Sequence, residues 1–233
     1  ILTDGWGWQT DPLFKVATAS VGDLAVTVKN IGGGSVPAGT ITARLYNSSN
    51  AQVGPDQTST GGIVTFPNVT AGSGYYYKVY FLSNPSTPYG QEYWGTKTGV
   101  TVNANSTTAN TFTRNQPYTE SVKVYNGSTD VTGQTFAPGT ALIVKQVIRN
   151  PQGTNLSGQG EVNIDINRSS PYDIPLSWTG AVTIPLNSTY TNTWNITTPS
   201  TQGSYYFITG VKTSNILTDG WGWQTDPLFK VAT

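Results

Sequence analysis

The sequence predicts an all-β protein made of two tandem β-sandwich domains. Its residues favour strands, because Thr, Val, Ile, Tyr, Ser, Gly and Asn dominate and helix-forming residues are scarce. The 26 Gly and 14 Pro residues separate short apolar runs, at the spacing expected of turns between strands. A length of 233 residues also suffices for two domains that each bury a core of their own.

The first half of the chain shows the two-residue alternation of half-buried strands. In LAVTVKN, the apolar residues Leu24, Val26 and Val28 alternate with Ala25, Thr27 and Lys29. The glycine-rich turn GGGSVPAG follows and separates this segment from the next strand. In order, the strand candidates of this half are LAVTVKN at 24–30, TITARLYN at 40–47, IVTF at 63–66, YYYKVYFL at 75–82, TGVTVN at 98–103 and TANTFT at 108–113.

Three stretches of this half, VTVKN, GGSVPAGTITARLY and TGGIVTFPNVTAGSGY, follow one another between residue 22 and about residue 114. In this order they resemble the transthyretin-like and Cna-B-like extracellular β-sandwiches. Some members of that class carry an isopeptide bond from a Lys to an Asn or Asp, beside a buried acid. Lys29 matches that lysine, but the strand around 76–80 has no Glu. We therefore expect Lys29 to be an ordinary outward-facing strand lysine.

The second half begins after the boundary QPYTE at 116–120, which has no apolar bulk of its own. Its strand candidates are SVKVYN at 121–126, ALIVKQVIRN at 141–150, GEVNIDIN at 160–167, IPLSW at 174–178, AVTIPL at 181–186, YTNTWNI at 190–196 and GSYYFITGVK at 203–212. The patterns F-x-P-G-T at 136–140 and W-x-x-x-x-P-x-x-x-G-x-Y at 194–205 resemble those of Ig-like adhesion modules of prokaryotic surface proteins. Such a sandwich needs one more strand after residue 212 to cover its open edge.

The chain begins and ends with the same eighteen residues, ILTDGWGWQTDPLFKVAT, at 1–18 and 216–233. Nothing between these two copies recurs at a fixed period, which argues against a solenoid. The second copy lies where the missing strand is required. A sandwich without its last strand exposes an unpaired edge, and the first copy on a neighbouring chain can fill that edge by donor-strand complementation. The expected divisions are therefore a donor peptide at 1–18, an N-terminal sandwich at 19–115, a C-terminal Ig-like sandwich at 116–215 and a completing copy of the peptide at 216–233.

The apolar residues of the peptide share one parity and would face one side of a continuous strand. In the first copy these donor-strand residues are Leu2, Trp6, Trp8, Phe14 and Val16, and in the second copy they are Leu217, Trp221, Trp223, Phe229 and Val231. Two alternatives stay open. In the first, Pro12 interrupts the strand, so that only LFKVA pairs and GWGW is a packed loop. In the second, the C-terminal copy is a self-complementing duplicate fused to the chain. The aspartates of TDG and QTDP are expected to cap turns.

Composition excludes several classes of function. The 12 basic and 12 acidic residues make up 10% of the chain and give a net charge of zero, so no charged surface is expected for nucleic acid or an anionic membrane. Cys, His and Met are absent, which removes thiol and imidazole chemistry and the usual transition-metal ligands. We expect no metal and no cofactor. No apolar run approaches the roughly 20 residues of a membrane-spanning helix.

The sequence offers no catalytic residues. Glu161 and Asp165 share one face of a strand candidate, as two glycosidase carboxylates could. Asn163 and Asn167 lie on the same face, however, and a solvated polar face explains all four side chains. We expect the protein not to be an enzyme.

Eight Asn residues lie in N-x-Ser/Thr sequons and are predicted to carry N-linked glycans. They are Asn47, Asn68, Asn105, Asn126, Asn155, Asn167, Asn187 and Asn195. Glycosylation would also help to solubilise a surface so poor in charge, and it implies a secretory route. The start at Ile1 suggests a processed chain without its signal peptide.

These features together predict a subunit of an extracellular filament, a head-to-tail polymer of identical chains joined by the donor peptide. In its organisation, its sequons and its terminal peptide the chain resembles the subunits of archaeal surface threads, a resemblance that implies adhesion or biofilm formation and no cofactor. The alternative is a monomeric adhesion or carbohydrate-binding module. Its candidate sugar-stacking residues are Tyr75, Tyr76, Tyr77, Tyr89, Tyr93 and Trp94, near the loop 83–99.

Overall fold

The computed structural model describes residues 19–83, 91–176, 180–221 and 223–233. These residues form eighteen strands and one 3-10 turn at Ile31–Gly33. The strands assemble into four sheets. The predicted all-β, sandwich-type fold is therefore confirmed.

The N-terminal sandwich consists of two facing sheets. Its strands are β1 (Val21–Lys29), β2 (Gly39–Tyr46), β3 (Gln57–Ser59), β4 (Ile63–Thr70), β5 (Gly72–Ser83), β6 (Glu92–Val102) and β7 (Thr107–Thr113). One sheet has the order β4-β1-β7 and the other the order β3-β2-β5-β6. The alternating residues Leu24, Val26 and Val28 are at most 2% exposed, so β1 turns its apolar face into the core between the sheets. Lys29 at the end of β1 is half-exposed.

The C-terminal sandwich contains the remaining strands. They are β8 (Tyr118–Asn126), β9 (Thr129–Asp130), β10 (Thr135–Phe136), β11 (Ala141–Arg149), β12 (Leu156–Asp165), β13 (Ile174–Leu176), β14 (Val182–Ile184), β15 (Thr189–Thr197), β16 (Gly203–Thr213), β17 (Ile216–Trp221) and β18 (Phe229–Val231). One sheet has the order β15-β11-β8-β9. The other has the order β10-β18-β16-β12-β13, with β14 paired to β12 and β17 paired to β16.

The second copy of the peptide forms β17 and β18, and both strands run antiparallel to β16. Ser214 and Asn215, with φ of 48° and 63°, make the tight turn between β16 and β17, as Asn does readily in a hairpin. The peptide is not one continuous strand, because the ladder stops at Trp221 and resumes at Phe229. In the second copy, pairing is not confined to LFKVA, since Ile216–Trp221 also pairs with β16. Pro12, on which the alternative depends, lies outside the described residues.

The predicted solvated polar face of β12 is wrong. Glu161, Asn163 and Asp165 do not form a solvated face, being at most 6% exposed. The turn after β12 encloses Asp165, whose carboxylate accepts hydrogen bonds from the backbone N–H groups of three residues in that turn: Asn167, Ser169 and Asp173. Only Asn167 of this face is exposed.

The aromatic residues proposed for sugar stacking are mostly core residues. Trp94 and Tyr77 are fully buried and Tyr75 is 9% exposed, so these three side chains pack inside the N-terminal sandwich. Tyr76 and Tyr93 are half-buried on its outer surface. Tyr89 lies outside the described residues.

Candidate functional site

The strand-acceptor groove is the space between β16 and β10 that β18 fills. Phe229 pairs with Tyr205, and Val231 pairs with Gly203 on β16 and, in parallel, with Phe136 on β10. Backbone hydrogen bonds extend the ladder at both ends of β18, from Leu228 N to Tyr205 O at 2.7 Å and from Ala232 N to Phe136 O at 3.0 Å. Without β18, the edges of both neighbouring strands would be unpaired.

Apolar side chains anchor the peptide in this groove. Leu228 and Phe229 are fully buried and Val231 is 2% exposed, and all three belong to the core of the C-terminal sandwich. The Phe229 ring stacks on that of Tyr205, with the ring centroids 5.1 Å apart. The alternation in the sequence predicts that Phe229 and Val231 face the groove, but it does not predict the burial of Leu228. Leu228 lies just before β18, so its side chain does not follow the alternation of the strand.

The upstream strand β17 contributes a second set of buried residues. Leu217 is 9% exposed, whereas its neighbour Ile216 points outward and is 51% exposed. Thr218 is fully buried, and its hydroxyl donates to the carbonyl oxygen of Val211 on β16 at 3.3 Å. The strand therefore covers the part of β16 that lies towards the N-terminal sandwich, where it also packs against β6.

A buried group of charged residues, here called the junction cluster, lies where β17 meets β6 and the link between the sandwiches. It consists of Asp219 on β17, Glu92 on β6, and Arg114, which directly follows β7. Each of these side chains is at most 6% exposed. The turn predicted at TDG is wrong in the second copy, because Asp219 lies inside β17 and is fully buried.

Hydrogen bonds satisfy the Asp219 carboxylate from two directions. Arg114 Nη2 lies 2.5 Å from Asp219 Oδ1 and also donates to the carbonyl oxygen of Thr218 at 2.8 Å. The backbone N–H of Thr119, at the start of β8, donates to Asp219 Oδ2 at 2.8 Å. The second carboxylate, Glu92, is farther from the guanidinium, at 3.8 Å.

Aromatic rings enclose the same guanidinium. The Arg114 Cζ atom lies 5.1 Å from the ring centre of Trp94 and 5.7 Å from that of Tyr118, within the range of cation–π attraction. The indole N–H of Trp94 donates to Glu92 Oε2 at 2.9 Å. Burial, together with the neighbouring charge of Asp219, raises the pKa of Glu92 from an ordinary 4.5 to about 7. Two carboxylates therefore share one guanidinium in a site that disfavours charge.

The remaining predicted donor-strand residues are those of the first copy and the two tryptophans of the second copy. Leu2, Trp6, Trp8, Phe14 and Val16 of the first copy lie outside the described residues. In the second copy, the backbone of Trp221 pairs with Thr209. Trp223 is half-buried after the ladder breaks, and its ring meets that of Tyr172 edge-on with the centroids 5.9 Å apart.

The sequon asparagines lie on the surface of both sandwiches. Asn47 is half-buried, and the other seven are exposed. By contrast, the buried asparagines Asn150, Asn163 and Asn192 all lie outside sequons. A bulky glycan needs an exposed amide, so the burial pattern leaves every sequon compatible with glycosylation except for the partial cover at Asn47.

A strip of tyrosines and cations, here called the tyrosine strip, lies on the outer face of the sheet that contains β2, β5 and β6. Tyr46 stacks on Tyr76 with ring centroids 4.9 Å apart, and Tyr80 packs against Tyr93 at 5.5 Å. Arg44 lies 4.7 Å above the ring of Tyr80. Tyrosine faces of this kind can stack on sugar rings.

Neither a metal centre nor a membrane helix is found within the described ranges. No group of three or more acidic, His or Cys side chains among these residues is arranged to hold a metal ion. No helix in this part of the chain has both the length and the apolar character needed to cross a bilayer.

Comparisons with known proteins find structural similarity only. No family model matches the chain, and no curated protein matches it. A candidate carbohydrate-binding protein from Bacteroides uniformis is similar over 87% of this chain and 95% of its own, with 14% identity and a TM-score of 0.35. A candidate membrane-anchored protein from Corynebacterium diphtheriae is similar over 93% of this chain and 59% of its own, with 13% identity and a TM-score of 0.33.

A third similar structure is a cycloisomaltooligosaccharide glucanotransferase from Paenibacillus sp., matched over 45% of this chain with 14% identity and a TM-score of 0.31. This chain spans only 13% of that enzyme's length. At such TM-scores, the functions of these three proteins are not transferred to this chain.

Proposed function

We propose that the protein is a structural subunit of an extracellular filament, in which residues 1–18 of one copy fill the strand-acceptor groove of the next. The observation that carries this proposal is the place of the second peptide copy. Phe229 and Leu228 are fully buried in the groove, and the first copy has the same eighteen residues. Any groove that accepts the second copy therefore offers the first copy the same ladder and the same core contacts.

The chemistry of the groove favours a stable joint. Burying a Phe side chain rather than leaving it exposed contributes roughly 1.5–3 kcal/mol, and Leu and Val add comparable amounts. Donor and acceptor are different surfaces of each subunit, so the contact is heterologous and extends into an open filament unless its rotation closes a ring. In this chain the groove already holds the second copy, so strand lending between chains requires that copy to be displaced or absent. A chain of residues 1–215 would have one donor and one open groove.

The joint would also be short. Val16 corresponds to Val231, the last residue of β18, and β1 begins at Val21. Five residue steps span at most about 17 Å of extended chain. The N-terminal sandwich of the donor would thus sit directly beside the groove that it fills, which favours a stiff thread over a flexible string of beads.

The surface is consistent with an extracellular role. Exposed sequons occur on both sandwiches, and charged residues make up only 10% of the chain. Glycans would supply the hydration that few charges can give. Adhesion or biofilm formation, as implied by the resemblance to archaeal surface threads, remains the proposed role of the filament.

Opening the groove in the full-length chain tests the proposal. Phe229→Arg should expel the second copy, so that the first copy of another molecule fills the groove and polymers appear in light scattering and electron microscopy. Phe14→Arg alone should leave a self-closed monomer with unchanged melting, and the double variant should neither polymerise nor regain stability. A Phe229→Arg chain that stays monomeric, whether stable or not, would contradict strand lending between chains.

The tyrosine strip supports a second candidate function, carbohydrate binding by a monomeric module. Tyr76, Tyr80 and Tyr93 present half-buried rings on one sheet face. If the strip binds glycans, Tyr76→Ala and Tyr80→Ala should weaken binding on a glycan array without changing the oligomeric state. Tyr190→Ala is the matched control, because Tyr190 is a half-buried tyrosine of the C-terminal sandwich. This variant should bind glycans as well as the original chain does.

A further inference from the structure

Asp219 is the residue of the second peptide copy that lies in the junction cluster. The second copy has three ionisable side chains, of which Asp226 and Lys230 are exposed and only Asp219 is buried. Its carboxylate is held by Arg114 and by the N–H of Thr119, while the backbone of Gly220 hydrogen-bonds Glu92. Two adjacent residues of β17 therefore contact both sandwiches, the N-terminal one through Glu92 and Arg114 and the C-terminal one through Thr119.

We infer that the aspartate at the fourth position of the peptide, Asp219 here and Asp4 in the first copy, is the residue that determines the register of the inserted peptide and joins the two sandwiches. For Asp219 the inference concerns the closed chain itself. For Asp4 it rests on the proposed strand lending between chains.

Register follows from the geometry of Arg114. The Arg114 side chain is 6% exposed and makes its closest ion pair with Asp219. A slip of one residue would turn the peptide over and bring Thr218 or Gly220 to this point, and a slip of two would bring Leu217 or Trp221. None of these residues carries a charge. A slipped peptide would leave Arg114 with only the more distant Glu92 carboxylate, at 3.8 Å, in a buried site where an uncompensated charge is strongly unfavourable.

Joining of the sandwiches follows from where Arg114 and Thr119 lie in the chain. Arg114 directly follows β7 and its backbone N–H donates to the carbonyl oxygen of Lys29 at 3.0 Å, so it belongs to the N-terminal sandwich. Thr119 is the second residue of β8. The two oxygens of one carboxylate thus bind residues on opposite sides of the link. A chain whose groove is empty would lack this bridge, and the link at 115–117 would be freer to bend.

The test uses the full-length chain with a protease site inserted at the exposed turn Ser214–Asn215. Cleavage leaves the second copy held without covalent connection, and fluorescent peptides of the sequence ILTDGWGWQTDPLFKVAT then compete for the groove. A peptide with Asn at its fourth position should bind on the order of 100- to 1,000-fold more weakly, as expected when one partner of a buried ion pair is removed. A peptide with Asn at its eleventh position, equivalent to the exposed Asp226, should bind like the unchanged peptide.

Register is read by cross-linking. Lys230 pairs with Ser204, so a peptide with Cys at its fifteenth position should form a disulfide with a Ser204→Cys acceptor. The peptide with Asn at position four should lose that preference and react also with a Gln202→Cys acceptor, two residues away. Unchanged affinity and unchanged cross-linking of the Asn peptide would overturn the inference.

Hydrogen exchange on the uncut chain tests the role of Asp219 independently of strand lending between chains. If the unchanged peptide does not enter the nicked chain, the proposed exchange fails, and the role of Asp219 is then judged in the uncut chain alone. There, Asp219→Asn should increase amide hydrogen exchange at 114–119 by at least about 10-fold relative to Asp226→Asn, because the bridge across the link is lost. Equal exchange in the two variants would overturn the inference regardless of whether chains lend strands.

Discussion

The folded chain should lose stability as the pH rises from 5 to 9, and Glu92 should be the cause. Its pKa is raised from an ordinary 4.5 to about 7, first by burial and then by the Asp219 charge. A group that holds its proton more tightly when folded adds stability at pH values below its unfolded pKa, and that stability falls away as the pH passes through the folded pKa. The raise from 4.5 to about 7 corresponds to at most about 3 kcal/mol of unfolding free energy.

Urea denaturation at several pH values between 5 and 9 measures this fall. Glu92→Gln should flatten the curve, because an amide can still accept from Trp94 but cannot ionise beside Asp219. Glu120→Gln is the matched control, since Glu120 is exposed and should leave the curve unchanged. Asp130, whose pKa is lowered to about 2 by its bond to Lys123, titrates below this window. Equal stability at pH 5 and 9, or a Glu92→Gln variant that keeps the whole fall, would refute the reasoning.

Three further outcomes are expected. Phe229→Ala should lower the unfolding free energy by about 3–5 kcal/mol in chemical denaturation, because it empties a fully buried site, while Phe14→Ala should leave the self-closed chain unchanged. Asn195→Gln in secreted protein should remove the mass of one glycan in peptide mapping, and unmodified peptide at Asn195 in the original chain would refute occupancy there. Gly160→Ala should cost about 1–3 kcal/mol, because its Cβ would lie 2.3 Å from Gln146 Oε1, whereas Gly153→Ala, with open space around it, should be nearly neutral in the same assay.

The alternation of apolar and polar residues along the chain predicts most of the strands, because each strand buries one of its two faces. Leu24, Val26 and Val28 show their buried face directly in the sequence, and β1 has that face in the core. The second copy of the peptide is likewise predicted to supply the missing strand, and its strands β17 and β18 pair with β16. In these places the neighbours along the chain are enough to determine the conformation.

The junction cluster could not be predicted in the same way. Asp219 and Arg114 are 105 residues apart, and nothing near either residue in sequence marks the other as its partner. The motif TDG is typical of a turn, but pairing with β16 overrides that local preference. The solvated face predicted for Glu161 and Asp165 is wrong for a related reason, since alternation shows which residues share a face but not what covers that face. The outer face of β12 is buried by tertiary packing that the strand's own sequence does not encode.

The most direct test of the account joins two chains at the groove. Lys15 corresponds to Lys230, which pairs with Ser204 across the ladder. A Phe229→Arg chain carrying Lys15→Cys, mixed with an isotope-labelled Phe229→Arg chain carrying Ser204→Cys, should yield a disulfide between labelled and unlabelled chains in mass spectrometry. The absence of this inter-chain disulfide under oxidising conditions would contradict the proposal that one subunit lends its first eighteen residues to the next.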